Sequence, residues 1–128
     1  MFTKRLELIL TTNKAETDPL SNDPRLIGRT YTIPFDRVWT ACLDMIDRNR
    51  RWTLIYANDL DGYIVVQCQT LVFKFIDDFE ITILLDENAL TRIDVRSHSR
   101  KGRTDLGANA RRIGRFFKKL DRILSTNN

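Results

Sequence analysis

Ser97, His98 and Ser99 bring a hydroxyl nucleophile and a base side by side, and His98 is the chain's single histidine. A Ser-His-Asp hydrolase needs the serine and histidine side chains to converge. Neighbours on one strand point to opposite faces, so a strand here parts His98 from both serines. A hydrolase-type enzyme using Ser97 or Ser99 is therefore an alternative that requires the strand reading to fail. No Gly-x-x-x-x-Gly-Lys-Ser/Thr phosphate loop occurs. A metal site would have to be built from His98 and carboxylates alone, and no clustered spacing suggests one. Cys42 falls on an apolar helical stripe and Cys68 on a strand, so both read as core residues. Neither a cofactor, a metal nor a catalytic residue is expected.

Charge points to binding instead. The chain carries 21 Lys and Arg against 17 Asp and Glu, +4 in all. From Arg96 to Arg122 it holds ten basic and two acidic residues, so this stretch is +8 and the remainder −4. A basic end on an acidic body implies either an anionic partner or an internal match, for example with Asp77, Asp78 and Glu80. The connection Arg100 to Gly107 leads three cations and a glycine into a helix N-terminus, where free N–H groups attract anions. Thr104 or Asp105 is also a good N-cap, and a capping carboxylate competes with a bound phosphate. Asn109, one turn in, reads as a tie to neighbouring backbone. The ligand-binding candidates are Arg96, Ser97, Ser99, Arg100, Lys101, Arg103, Asp105, Asn109 and Arg112.

Residues 96–113, Arg-Ser-His-Ser-Arg-Lys-Gly-Arg-Thr-Asp-Leu-Gly-Ala-Asn-Ala-Arg-Arg-Ile, resemble the signature of the bacterial domain of unknown function 1499 family. That signature runs Arg-Ser-x-Ser-Arg, then Gly, then Asp-Leu-Gly-x-Asn, then Arg-Ile. The resemblance extends more weakly back through Ile33-Pro34 and Trp39 to about residue 29. Many relatives begin with a cysteine- and proline-containing segment, often after an export or membrane signal, and this chain has neither. The resemblance implies no established activity; it points to residues 96–113.

These residues need elements to hold them. Residues 2–10 fit a short strand or a helical turn. Thr11 to Gly28, rich in Thr, Asn, Asp and Pro, reads as an irregular arm. Arg29 to Ile33 is a strand by β-branched and aromatic content. Pro34 and Asp36 open a helix with Phe35, Val38, Trp39, Cys42, Met45 and Ile46 on one stripe. Strands follow at Trp52 to Tyr56 and Tyr63 to Thr70, joined by a turn at Asn58 to Gly62. The next strand carries Phe79, Ile81, Ile83 and Leu85 on one face, and Asp86-Glu87-Asn88 turns it into Leu90 to Arg100. In that last strand Thr91, Ile93, Val95, Ser97 and Ser99 face inward, and Arg92, Asp94, Arg96, His98 and Arg100 face out. Asp105 to Leu124 is a long helix with Leu106, Ala110, Ile113, Phe117, Leu120 and Leu124 as its stripe. Its small residues Gly107, Ala110 and Gly114 allow close approach.

The expected fold is α+β, a five-stranded antiparallel sheet with two helices on one face, in the order β-α-β-β-β-β-α. That order also occurs in the half-repeat of the TATA-box-binding protein and in helix-grip domains, a likeness silent on chemistry. Residues 1–28 form an N-terminal arm and 29–125 a single domain. The hydrophobic content of 42% excludes a disordered chain. An apolar run of about five residues falls far short of the roughly 20 a membrane helix needs. Leu6 to Leu10 is too short for an export signal, so a cytoplasmic location with reduced cysteines is expected. The leading reading is a non-catalytic binding module for an anionic small molecule, lipid headgroup or protein partner. Non-specific nucleic-acid binding through Arg111, Arg115, Lys118 and Arg122 ranks below it, because no exposed aromatics interleave with these cations.

Overall fold

A computed structural model describes residues 13–100, 105 and 107–126. The short strand or helical turn expected over residues 2–10, the binding candidates Lys101 and Arg103, and Leu106 of the helical stripe lie outside the described residues. The strands are β1 (Lys14–Glu16), β2 (Arg29–Tyr31), β3 (Trp52–Asn58), β4 (Tyr63–Gln69), β5 (Ile76–Leu85) and β6 (Thr91–Ser99). The helices are α1 (Phe35–Arg48) and α2 (Ala108–Thr126), with a 3-10 turn at Pro24–Leu26. All six strands form one sheet, ordered β1-β6-β5-β4-β3, with β2 also on β6. Every pairing is antiparallel.

The sheet has six strands rather than five. The additional one is β1, from the segment expected to be irregular, where Ala15 lies opposite Ser97. β1 and β2 are each three residues long and share the outer edge of β6. β1, Lys-Ala-Glu, carries little strand propensity, and its pairing with β6 creates it, whereas β2 falls within the strand expected from Arg29 to Ile33.

The alternation in β6 holds along its whole length. Thr91, Ile93, Val95, Ser97 and Ser99 are buried, whereas Arg92, Asp94, Arg96, His98 and Arg100 are partly or fully exposed. β5 lies in register beside it, with Phe79 opposite Ser97 and Asp77 opposite Ser99. The covered face of β4, β5 and β6 packs Ile64, Val66, Phe79, Ile81, Ile83, Ile93 and Val95 against the two helices. From α1 come Val38, Ala41, Cys42, Met45 and Ile46. From α2 come Ile113, Phe116, Phe117, Leu120 and Leu124, while Ala110 is only partly covered. Leu85, expected inward, is 60% exposed at the end of β5, next to the Asp86–Leu90 turn.

The tight turns explain the register. Asn58 Oδ1 accepts the Leu60 amide at 2.9 Å and Asp86 Oδ1 accepts the Leu90 amide at 3.0 Å. Gly62 has φ +67, and a Cβ there would lie 2.0 Å from the Ile83 carbonyl oxygen, so the hairpin passes close only with glycine.

Candidate functional site

The inward hydroxyls of β6 meet the first turns of α2 in a buried polar cluster. Ser97 and Asn109 are fully buried, and Ser99 is 3% exposed. Ser97 Oγ donates to Asn109 Oδ1 at 2.7 Å. Arg112 Nη1 donates to that same oxygen at 2.8 Å and to Ser97 Oγ at 3.1 Å. The Asn109 amide nitrogen faces Asp105 Oδ2 at 2.6 Å, Ser99 Oγ at 3.0 Å and the Asn13 carbonyl at 3.0 Å. Asn109 cannot be turned round, since an arginine offers only donors and a carboxylate only acceptors. The amide therefore links β6, α2 and the chain entering β1; instead of the neighbouring backbone expected, it bonds four side chains and the distant Asn13 carbonyl.

Asp105 has both oxygens engaged. Its Oδ1 accepts the Gly107 amide at 2.8 Å while Oδ2 takes Asn109. Gly107 adopts φ +83, the left-handed region that favours glycine. The Asp105 carboxylate thus accepts an amide just before α2, where it would compete with any bound anion.

Arg112 completes the cluster. Its Nη2 lies 2.8 Å from Asp77 Oδ2, and the two side chains are 9% and 0% exposed. Asp77 is not among the ligand-binding candidates read from the sequence. The signal for it was present: residue 77 shares the parity of Phe79, Ile81 and Ile83, so the alternation that buries them buries it too.

Arg96 and Arg100 lie on the opposite face of β6 and are not brought to this cluster. Arg100 Nε sits 3.2 Å from Asp78 and Arg96 Nη1 3.9 Å from Glu80. Glu80 also faces His98 Nε2 at 3.4 Å and accepts from the Tyr63 hydroxyl. Arg92 pairs with Asp94 at 2.8 Å. The expected internal match is thus present on this face, and His98 points away from both serines. No group of three or more His, Cys, Asp or Glu able to hold a metal occurs among the described residues.

A cleft opens on the other side of Arg112. It lies between the end of α1, the segment entering β3, the end of β4 and α2, with a volume of about 460 Å³. Met45, Trp52, Cys68, Leu71 and Phe116 give it an apolar wall. Arg51, Arg112, Arg115 and Lys119 give it positive charge, and no acidic side chain is among the described residues lining it. Residues 108, 112, 115, 116 and 119 share one side of α2 because steps of three and four return to one face. The Arg115 guanidinium is held below the ordinary arginine value, first by desolvation and then by repulsion from Arg112, Arg111 and Arg51. Arg51 and Trp52 escape a motif search because they lie some 45 residues before the signature, and only the fold brings them to α2.

Both cysteine thiols are pushed up to about 12 by burial, which makes them poor nucleophiles at neutral pH.

Fold and cluster together define an α+β protein with a six-stranded antiparallel sheet whose last strand is tied to its last helix by Ser97, Ser99, Asp105, Asn109 and Arg112. The model of the DUF1499 family, described as a protein of unknown function, matches residues 8–120, and the chain belongs to that family. No curated protein and no solved structure matches it. No helix among the described residues is long and apolar enough to cross a membrane.

Proposed function

We propose that the chain is a non-catalytic binding module whose cleft takes an anionic ligand with an apolar body. The observation that carries this is the charge of the cleft. Arg51, Arg115 and Lys119 line a space of about 460 Å³ with no acidic neighbour among the described lining residues. A volume of this order suits a small molecule or a headgroup. Cations that repel one another gain most from an anion placed between them. Trp52, Phe116, Met45 and Leu71 would cover the apolar part of the ligand, and the cations would hold its phosphate or carboxylate.

In this reading the signature residues divide their work. Ser97, Ser99, Asp105 and Asn109 fix the first turns of α2, and Arg112 passes from that buried cluster to the cleft wall. Two facts favour binding over hydrolysis: the serine hydroxyls are buried in bonds to Asn109 and Arg112, and His98 is on the other face. The layout, a long terminal helix across an antiparallel sheet with a cleft at one end, is like that of helix-grip ligand-binding domains, an analogy of shape alone.

Calorimetric titration with octyl phosphate and with octanol tests the proposal. Octyl phosphate binds and octanol does not, and joint Arg115→Ala and Lys119→Ala substitution weakens binding by about tenfold or more. Equal isotherms for the wild type and the double variant would overturn it.

A further inference from the structure

The β4–β5 connection is the most exposed apolar segment among the described residues. Leu71, Val72 and Phe73 are 70%, 75% and 75% exposed, and Phe75 is 43% exposed. Loop tips are normally polar, and a contiguous apolar patch marks an interaction surface. This tip is held in shape. Thr70 N donates to the Phe75 carbonyl at 2.8 Å, and Phe75 N donates to Thr70 Oγ1 at 2.8 Å. The Phe73 and Phe75 rings stack at 5.5 Å, and Lys74 is kept at φ 56 between them.

The surroundings of the tip are cationic. Leu71 belongs both to the tip and to the wall of the cleft that holds Arg51, Arg115 and Lys119. The backbone ties them together, since Gln69 N donates to the Arg51 carbonyl at 2.8 Å. The stretch from Gly62 to Ile76 contains no acidic residue and one charge, Lys74, and the acids that follow, Asp77 and Asp78, are paired with Arg112 and Arg100. An apolar wedge flanked by cations matches one partner in particular, the interface of an anionic bilayer, where acyl chains lie beneath phosphate groups. A second copy of the chain fits poorly. A symmetric dimer would set this cationic rim against itself.

We propose that the Leu71–Phe75 tip inserts into an anionic lipid surface while Arg51, Arg115 and Lys119 engage headgroup phosphates at the cleft mouth. The inference rests on the cleft reading for its charge and on the exposed tip for its apolar half. It requires no membrane-spanning segment, only burial of the tip to the depth of the headgroup boundary.

Co-sedimentation with vesicles of phosphatidylcholine alone, or mixed equally with phosphatidylglycerol, tests it. The wild type partitions onto the mixed vesicles at least about tenfold better than onto the neutral ones. Joint Val72→Ser and Phe73→Ser substitution lowers that partitioning by about tenfold or more and leaves the octyl phosphate isotherm intact. The Arg115→Ala and Lys119→Ala pair weakens both. Phe73→Trp emission shifts to the blue on mixed vesicles and not on neutral ones. Failure of the wild type to sediment with mixed vesicles, or wild-type partitioning by the Ser variant, overturns insertion; an intact octyl phosphate isotherm then leaves the cleft reading standing. Vesicle binding without octyl phosphate binding overturns the cleft reading instead. Self-association of the wild type that the Ser variant abolishes makes the tip a protein contact and overturns insertion.

Discussion

Arg112 of the last helix and Asp77 of the fifth strand meet at 2.8 Å, with 9% and 0% of their side chains open to water. The pair spans the sheet-to-helix joint and stands between the buried cluster and the cleft. Its charges are taken out of water, so its two members are worth far more together than apart.

Substituting one member should therefore be costly. Asp77→Ala strands a buried guanidinium and is expected to lower stability by about 3–5 kcal/mol. Converting both, Asp77→Leu with Arg112→Met, should cost much less than Asp77→Ala alone. Urea denaturation of the single and double variants gives the coupling directly; additive losses would show that the pair does not act as a unit.

Asn109 serves five partners with one amide. Asn109→Leu leaves Ser97, Asp105 and Arg112 each short of a buried bond, an expected loss of about 3 kcal/mol or more. Asn109→Asp puts a carboxylate against Asp105 where a donor stood. Its penalty should shrink as pH falls and the introduced carboxylate takes up a proton. Thermal denaturation across acid pH reads both effects.

Stability should decline in alkali. The Cys42 and Cys68 thiols are raised from 9.0 to about 12, chiefly by burial. Tyr63 is raised from 10.0 to about 12, first by its hydrogen bond to Glu80. Between pH 9 and 12 the unfolded chain has released thiol protons that the folded chain still holds, so unfolding is favoured as pH rises. The contribution is complete below pH 9 and falls by up to about 1.4 kcal/mol per pH unit for each thiol in that window. Urea midpoints across the window, compared with a Cys42→Ala, Cys68→Ala variant, measure it; parallel curves would contradict it.

The outer-face arginines should behave differently from the buried one. Arg96→Ala and Arg100→Ala remove partly exposed pairs with Glu80 and Asp78. Each is expected to change stability by less than about 1 kcal/mol. Octyl phosphate binding should be unchanged, because both point away from the cleft. A large loss of binding in either variant would move the site to the outer sheet face.

Much of this arrangement is legible in the sequence. The inward parity of Ser97 and Ser99 follows from Ile93 and Val95. Local spacing suffices where neighbours in sequence are neighbours in space. It fails for β1, three residues whose strand character comes from pairing with β6. It fails again for the cleft, which needs Arg51 and Trp52 from one hairpin and Leu71 from another beside α2. Asp77 is the intermediate case: its parity places it inside, but its charge reads as surface until Arg112 is seen opposite.

The proposed binding mode places an anion beside α2 between Arg51, Arg115 and Lys119. Backbone amide chemical shifts during titration with octyl phosphate test it most directly. The shifts should concentrate at Asn49–Trp52, Gln69–Leu71 and Ala108–Lys119. Shifts centred on Arg92, Arg96 and Arg100, or none at saturating ligand, would contradict it.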